Sequence, residues 1–193
     1  MPKKPTPEEI KRKLEDAGPL YEELRLSSDR ACAILGGVFM DEYLGQLLRT
    51  YIVQDNPIVN ALFTFGHSLD SFRQKIEMAY ALGLLTHQEY TALDTIRTIR
   101  NDFAHSLHGL SFDSPTIADR CRPLNFVILE DPAPGWVPSP KEHFRLAVLL
   151  LEAELTRHIS DIRTQNLGRT PWPQEETISA NMEPYPIQRE SPN

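Results

Sequence analysis

The chain has 193 residues, two cysteines and a formal net charge of −7. This length suits one domain with irregular segments, and the acidic balance argues against a broad basic surface for nonspecific nucleic-acid binding. Two cysteines are too few for a disulfide framework or a cysteine zinc site. The first residues lack the apolar core of a signal peptide, so we expect a cytoplasmic protein that does not associate with a membrane.

Helical patterns begin near the N-terminus. Residues 1–26 are predicted to form an N-terminal helical extension, because a proline-started amphipathic pattern is followed by a second short helical segment. Ser28 then caps a long helix that reaches about Tyr51. This helix is apolar over most of its circumference, which predicts a buried position. Three glycines would let neighbouring helices approach it closely: Gly36, Gly37 and Gly45.

One acidic residue interrupts the apolar side of this long helix. Asp41 projects to the same arc as aliphatic side chains, and burying its charge without a partner would cost several kcal/mol. Asp41 therefore needs a cation, an amide donor or a raised pKa. One interpretation is that Asp41, together with Glu42, faces a later helix and holds Arg97 or Arg100. The other is a structural ion pair, or a polar side open to solvent.

Two further helices are predicted before residue 108. Ser68 is the predicted N-cap of the first of them, which closes at Gly83. Its inward face is predicted to hold Phe72, Ile76, Ala79 and Tyr80. Thr86 and Glu89 form a capping box for the second helix. The short link between the two helices predicts that they pack against each other.

The second of these helices, residues 86–108, carries the candidate site. Its apolar residues fall on one predicted core face: Ala92, Ile96, Ile99 and Phe103. Protonatable and phosphate-competent groups crowd the opposite face: Asp94, Arg97, Arg100, Asn101, His105 and His108. Such a concentration of titratable groups is typical of functional sites.

Arg100 and His105 are the proposed centre of this face. A guanidinium offers a planar fork of donors to a phosphate, and an imidazole moves protons near neutral pH. Five residues separate them by roughly 7–8 Å along a helix axis, so one phosphodiester could contact both, more easily with a second protomer. His105 and His108 have no nearby cysteine or acidic companion in the same turn, so we expect no metal and no other cofactor.

The chain after this helix becomes irregular before it forms a last helix. Residues 109–123 are predicted to hold a short helix begun by Ser114 and Pro115, which closes over the central helix. Residues 125–129 suggest an extended stretch or irregular chain. Residues 131–140 contain four prolines and form a predicted connector.

A final amphipathic helix is predicted over residues 141–162. Its apolar face holds Phe144, Ala147, Val148, Leu151, Leu155 and Ile159. Residues 166–193 are rich in proline and polar residues, which predicts a disordered tail. The whole pattern predicts an all-α fold: a single helical bundle over residues 27–165, between the extension at 1–26 and this tail.

Three stretches resemble the mannitol operon repressor (MltR-like) family. They are SDRACAILGGVFMDEYLGQLL at 28–48, SFRQKIEMAYALGLLTHQEYTALDTIRTIRNDFAHS at 71–106 and FDSPTIADRCRPL at 112–124. The run IRNDFAH also resembles the Arg-x4–6-His signature of the HEPN superfamily, helical proteins that include metal-independent endoribonucleases. Both resemblances imply a helical bundle.

The resemblances imply different functions. The MltR-like family implies a regulator that works through oligomers and contacts with a protein partner, and we expect a homodimer. The HEPN superfamily implies RNA cleavage, in which Arg100 would stabilise charge on the phosphate, His105 would move a proton and Asn101 would orient one of them. A repressor family also allows direct DNA binding, but no segment has a helix-turn-helix pattern with a basic recognition helix.

Overall fold

A computed structural model of the chain describes residues 18–52, 56–107, 109–127, 138–165 and 167–169. Within these ranges the chain is all-α, which confirms the predicted fold class. The predicted helix before residue 18, most of the proline-rich connector, His108 and nearly all of the predicted tail lie outside the described residues. The division into segments 1–26, 27–165 and 166–193 stays a prediction.

Three long helices form the centre of the bundle. In chain order the helices are α1 (Gly18–Leu26), α2 (Asp29–Tyr51), α3 (Asn56–Leu62), α4 (Phe72–Ala81), α5 (His87–His105), α6 (Pro115–Cys121) and α7 (Pro140–Thr164). Helix α2 packs most extensively against α7 and next against α5, while α4 packs against both α2 and α5. The central position therefore belongs to α2.

Side-chain caps fix where the helices start. The predicted caps Ser28 and Thr86 are confirmed, since each accepts a hydrogen bond from a backbone N–H in the first turn of α2 or α5. The predicted start of α4 at Ser68 is wrong. Ser71 begins that helix, because Gln74 completes a capping box with it.

The core follows the predicted helix faces with one exception. The predicted apolar residues of α5 and α7 are all buried. On α4, Phe72, Ile76 and Ala79 are buried, whereas Tyr80 is 41% exposed. Its ring lies 4.7 Å from that of Tyr90 on α5, so Tyr80 covers the edge of the contact between the two helices instead of entering the core.

Two adjacent glycines allow α2 to lie close to its neighbours. A Cβ added at Gly36 would lie 2.7 Å from Cε1 of Phe144 on α7, and one added at Gly37 would lie 2.6 Å from Cγ of Arg100 on α5. The prediction of close approach is confirmed at both positions. It is wrong at Gly45, where an added Cβ would meet no described atom within 4 Å.

The segment after α6 is helical, not extended. Residues Arg122–Val127 form a 3-10 helix that packs against α6 and α7, with Leu124 buried. The predicted extended stretch at 125–129 is therefore wrong as far as residue 127. A 3-10 turn pairs its backbone groups locally, which a lone strand cannot do.

Helix α2 is unusually apolar for its length. By length and composition it is the one helix within the described ranges that could cross a membrane. Half of its most apolar 18-residue stretch is buried inside the bundle, as expected for a central core helix.

Candidate functional site

Helix α5 carries the candidate site on the side opposite its core face. Its N-terminus is fixed by the capping box of Thr86 and Glu89, and its buried residues hold the helix against α2 and α7. The predicted polar residues Asp94, Arg97, Arg100, Asn101 and His105 all lie at partly or fully exposed positions. The face predicted from periodicity is therefore accessible.

Arg100 is held in a notch on α2. Its aliphatic stem lies against Gly37, where no side chain intervenes. Its Nη1 donates a hydrogen bond of 2.9 Å to Oδ1 of Asn101. Among the residues that the structure describes, no carboxylate lies within ion-pair distance of Arg100. This guanidinium is thus positioned by packing and retains donors for an external acceptor.

His105 ends α5 and is exposed to solvent. The next residue, Ser106, caps the helix, and its carbonyl accepts a hydrogen bond of 2.6 Å from Nη2 of Arg30 on α2. Arg30 thus ties the C-terminal end of α5 to the N-terminal part of α2. Arg100, Asn101 and His105 all lie in the C-terminal part of α5, and their joint role as a site stays a prediction.

Arg97 belongs to a local network instead of the open part of the site. Its Nη2 lies 2.7 Å from Oδ1 of Asp94, and it also donates to the hydroxyl of Thr98. Its charge is therefore already balanced by an acid one helical turn away. Of the two predicted arginines on this face, Arg100 is the one available to a ligand.

Asp41 has a cationic partner, as expected, but a different one. Lys75 on α4 donates to its carboxylate at 2.7 Å, and the lysine side chain is only 12% exposed. The interpretation that Asp41 holds Arg97 or Arg100 is wrong, because α4 packs against the same side of α2 and places Lys75 there. Glu42 points outward and accepts a hydrogen bond of 3.3 Å from Gln46.

The segment after α5 closes over the core side of the helix, as predicted. Phe112 lies between Phe103 of α5 and Phe144 of α7, with ring centroids 5.1 and 5.2 Å away. Its backbone N–H donates to Asp29 at the start of α2. His105 stays exposed, so this closure leaves the candidate site open.

A second polar contact, between α5 and α7, was not predicted. Nε2 of His158 and Oε1 of Glu89 lie 2.9 Å apart, while Oε2 of Glu89 accepts from the backbone of Thr86. Burial opposes ionisation of Glu89, but the hydrogen bonds from His158 and Thr86 lower its pKa overall. The sequence signal was the capping-box glutamate itself, since one of its oxygens remains available after capping.

A cavity of about 330 Å³ lies beside this contact. It is lined by the turn that precedes α5 and by the end of α7, including His158, Asp161 and Gln165. Within the described residues no group of three His, Cys, Asp or Glu side chains is arranged to hold a metal ion. The cavity therefore offers polar groups to a ligand without forming a metal centre.

The two cysteines are free and lie in the core. Burial raises the pKa of Cys32 to about 11 and that of Cys121 to about 12. Thiols with such pKa values remain protonated at neutral pH, so neither is poised as a nucleophile.

Comparisons with known proteins give one informative result. No family model matches the chain, and no curated protein matches it. A chain in the X-ray structure of the MtlR-HPr complex from Escherichia coli has a similar fold, with a TM-score of 0.58 and 17% sequence identity. The similarity covers 72% of this chain and 96% of the other. This protein therefore has an all-α fold that resembles the fold of a chain in the MtlR-HPr complex.

Proposed function

We propose that this protein is a regulator that acts by binding a protein partner, and that HPr is that partner. The observation that carries the proposal is the fold shared with a chain of the MtlR-HPr complex, over almost the whole of that chain. The resemblance of three sequence stretches to the mannitol operon repressor family supports the same function. A role in regulation through contacts needs no catalytic group.

The end of α5 is the proposed contact surface. Arg100 has no carboxylate partner within the described chain, and His105, five residues later on the same helix, is exposed. Nearby acids on α5 are already paired, Asp94 with Arg97 and Asp102 with Arg120. This surface thus presents the guanidinium of Arg100 as a cationic donor in a chain of net charge −7, and it suits acceptor groups on a partner.

A titration of the purified chain with HPr tests the proposal. We expect binding with a dissociation constant in the micromolar range, of order 1–100 µM. The Arg100→Glu variant should weaken binding by about tenfold or more, because it replaces a donor with a repelling charge. Arg73→Glu, which changes an exposed arginine on α4, is the matched control and should bind as the wild type does.

Two results would contradict the proposal. If the wild-type protein does not bind HPr at concentrations up to about 1 mM, HPr is not its partner. If Arg100→Glu and Arg73→Glu weaken binding equally, the change in net charge accounts for the loss, and the end of α5 is not the contact surface.

Metal-independent RNA cleavage is the second candidate. The observation that favours it is the position of Arg100, held against Gly37 without an acidic partner, with exposed His105 on the next turns of the same helix. In this mechanism the guanidinium would stabilise the phosphate charge and His105 would transfer a proton. Asn101 already accepts a hydrogen bond from Arg100 and would orient it.

An RNA assay in excess EDTA separates the two candidates. Cleavage by the wild type that is lost in both Arg100→Ala and His105→Ala, and retained in Arg73→Ala, would support the ribonuclease. RNA that stays intact with wild-type protein across substrates and concentrations would eliminate it. Neither result changes how the HPr titration is interpreted, so the two proposals are tested independently.

A further inference from the structure

The cavity of about 330 Å³ lies where α5 begins and α7 ends. One wall is the turn between α4 and α5, and the other is the last two turns of α7. The cavity is separate from the surface around Arg100, because about four turns of helix, or roughly 21 Å along the axis of α5, lie between Thr86 and Arg100. Its volume is at the lower end of the range for ligand sites, so it suits a small molecule.

Aliphatic side chains form much of the cavity wall. They are Leu84 and Leu85 from the turn, Ile162 from α7 and Leu167 from the chain that follows α7. Leu85 and Ile162 also belong to the hydrophobic core, so the packing of the bundle fixes their positions. A ligand with a short apolar chain would therefore bury that chain against a rigid surface.

The polar side chains of the cavity present hydrogen-bond acceptors. Oδ2 of Asp161 accepts from Arg157 at 3.0 Å, whereas Oδ1 of Asp161 has no hydrogen-bond partner among the described residues. Nε2 of His158 lies 2.9 Å from Oε1 of Glu89. Since its hydrogen bonds lower the pKa of Glu89, this carboxyl group is ionised at neutral pH and accepts the hydrogen of Nε2. Nδ1 of the neutral ring is then an acceptor, and neither Nδ1 nor Oδ1 of Asp161 is buried.

The charges around these acceptors are mainly negative. The carboxylates are those of Glu89, Glu154 and Asp161, and within the described chain Arg157 is the one arginine or lysine paired with any of them. Arg157 is 53% exposed, so solvent screens its charge. The C-terminal end of α7 adds a partial negative charge of its own. The cavity therefore favours a cation over an anion.

We propose that this cavity binds a primary ammonium group carried on a short aliphatic chain. An ammonium group has three donors and no acceptor, which matches Oδ1 of Asp161, Nδ1 of His158 and the side-chain oxygen of Gln165. The aliphatic chain would lie against Leu84 and Ile162. A carboxylate ligand would instead place a like charge beside Asp161. The proposal does not depend on the proposed function.

An NMR titration of the full chain with n-pentylammonium, at constant ionic strength, tests the proposal. We expect saturable shifts of the backbone amide signals of Leu84, Leu85 and Ile162, with a dissociation constant of about 0.1–10 mM. Pentanoate has a similar length and the opposite charge, and 1-pentanol is neutral. Both should bind at least about tenfold more weakly, because neither carries a positive charge.

Two substitutions that each remove one negative charge locate the site. Asp161→Asn neutralises the carboxylate that faces the cavity and should weaken pentylammonium binding at least about fivefold. Glu154→Gln is the matched control, because Glu154 also pairs with Arg157, at 2.9 Å, but does not line the cavity. This control should keep the dissociation constant within about twofold of the wild-type value. Circular dichroism checks that both variants are folded.

Any of three results would overturn this proposal. In the first, pentanoate binds as tightly as pentylammonium, so charge does not select the ligand. In the second, the signals of Leu84, Leu85 and Ile162 do not shift at pentylammonium concentrations up to about 50 mM, so the ammonium does not bind in the cavity. In the third, Asp161→Asn and Glu154→Gln affect binding equally, so Asp161 does not hold the ligand.

Discussion

The contact between Gly37 and Arg100 predicts that Gly37→Ala destabilises the protein. Helix propensity alone predicts the opposite. Replacing glycine by alanine inside a helix ordinarily stabilises it by about 0.5–1 kcal/mol. At Gly37 the new Cβ would lie 2.6 Å from Cγ and 2.9 Å from Cβ of Arg100. The Cβ of Arg100 cannot move without its backbone, so helices α2 and α5 must separate.

Overpacking of this kind costs about 1–3 kcal/mol, and we place Gly37→Ala in the upper half of that range because one of the two obstacles, Cβ of Arg100, is bonded directly to the backbone. After the gain in helix propensity is subtracted, the free energy of unfolding should fall by about 1–2 kcal/mol. Gly45→Ala is the matched control in the same helix, since its added Cβ meets no described atom within 4 Å. That variant should gain up to about 1 kcal/mol.

Urea unfolding followed by circular dichroism measures both changes and their coupling. In an Arg100→Ala background the Cγ and Cδ atoms are absent, so Gly37→Ala should cost at most about half as much as in the wild type. The reasoning is refuted if Gly37→Ala stabilises the protein as Gly45→Ala does. It is also refuted if the cost is the same with and without the Arg100 side chain.

Other predictions concern the buried polar groups and the core. Since the pKa of Glu89 is lowered on folding, its ionised form stabilises the protein above the unfolded pKa near 4.5, and this contribution is lost as pH falls through the folded pKa. In the Glu89→Gln variant the free energy of unfolding should therefore depend less on pH below about pH 5 than in the wild type. Cys32 and Cys121 should react with a thiol reagent only after denaturant is added. Phe144→Ala should lower the free energy of unfolding by about 3–5 kcal/mol.

The sequence predicts the helices and their core faces because those features are local. Periodicity places Ile96, Ile99 and Phe103 on the buried side of α5, and a capping box marks where the helix begins. The start of α4 is missed since Ser68 and Ser71 are both good caps. The glutamine three residues after Ser71 is the signal that separates them.

Contacts between helices are predicted less well, because they depend on how each helix is rotated relative to its neighbours. Asp41 was expected to need a cation, yet nothing in its own helix selects Lys75 over Arg100. A signal is present on α4, where Lys75 directly precedes buried Ile76 and so borders the inward face. A lysine at such a border reaches a neighbouring helix more readily than one on the outer face.

The adjacent glycines of α2 determine which sides of this helix its neighbours cover. Consecutive helix positions point about 100° apart, so Gly36 and Gly37 admit two different helices on neighbouring sides of α2. Phe144 of α7 fills the first position and Arg100 of α5 fills the second. With both helices on that arc, the opposite arc, which includes Val38, is left outside the bundle. Separating α5 from α2 by Gly37→Ala should therefore displace Arg100, and it should weaken partner binding without changing the exposure of Val38.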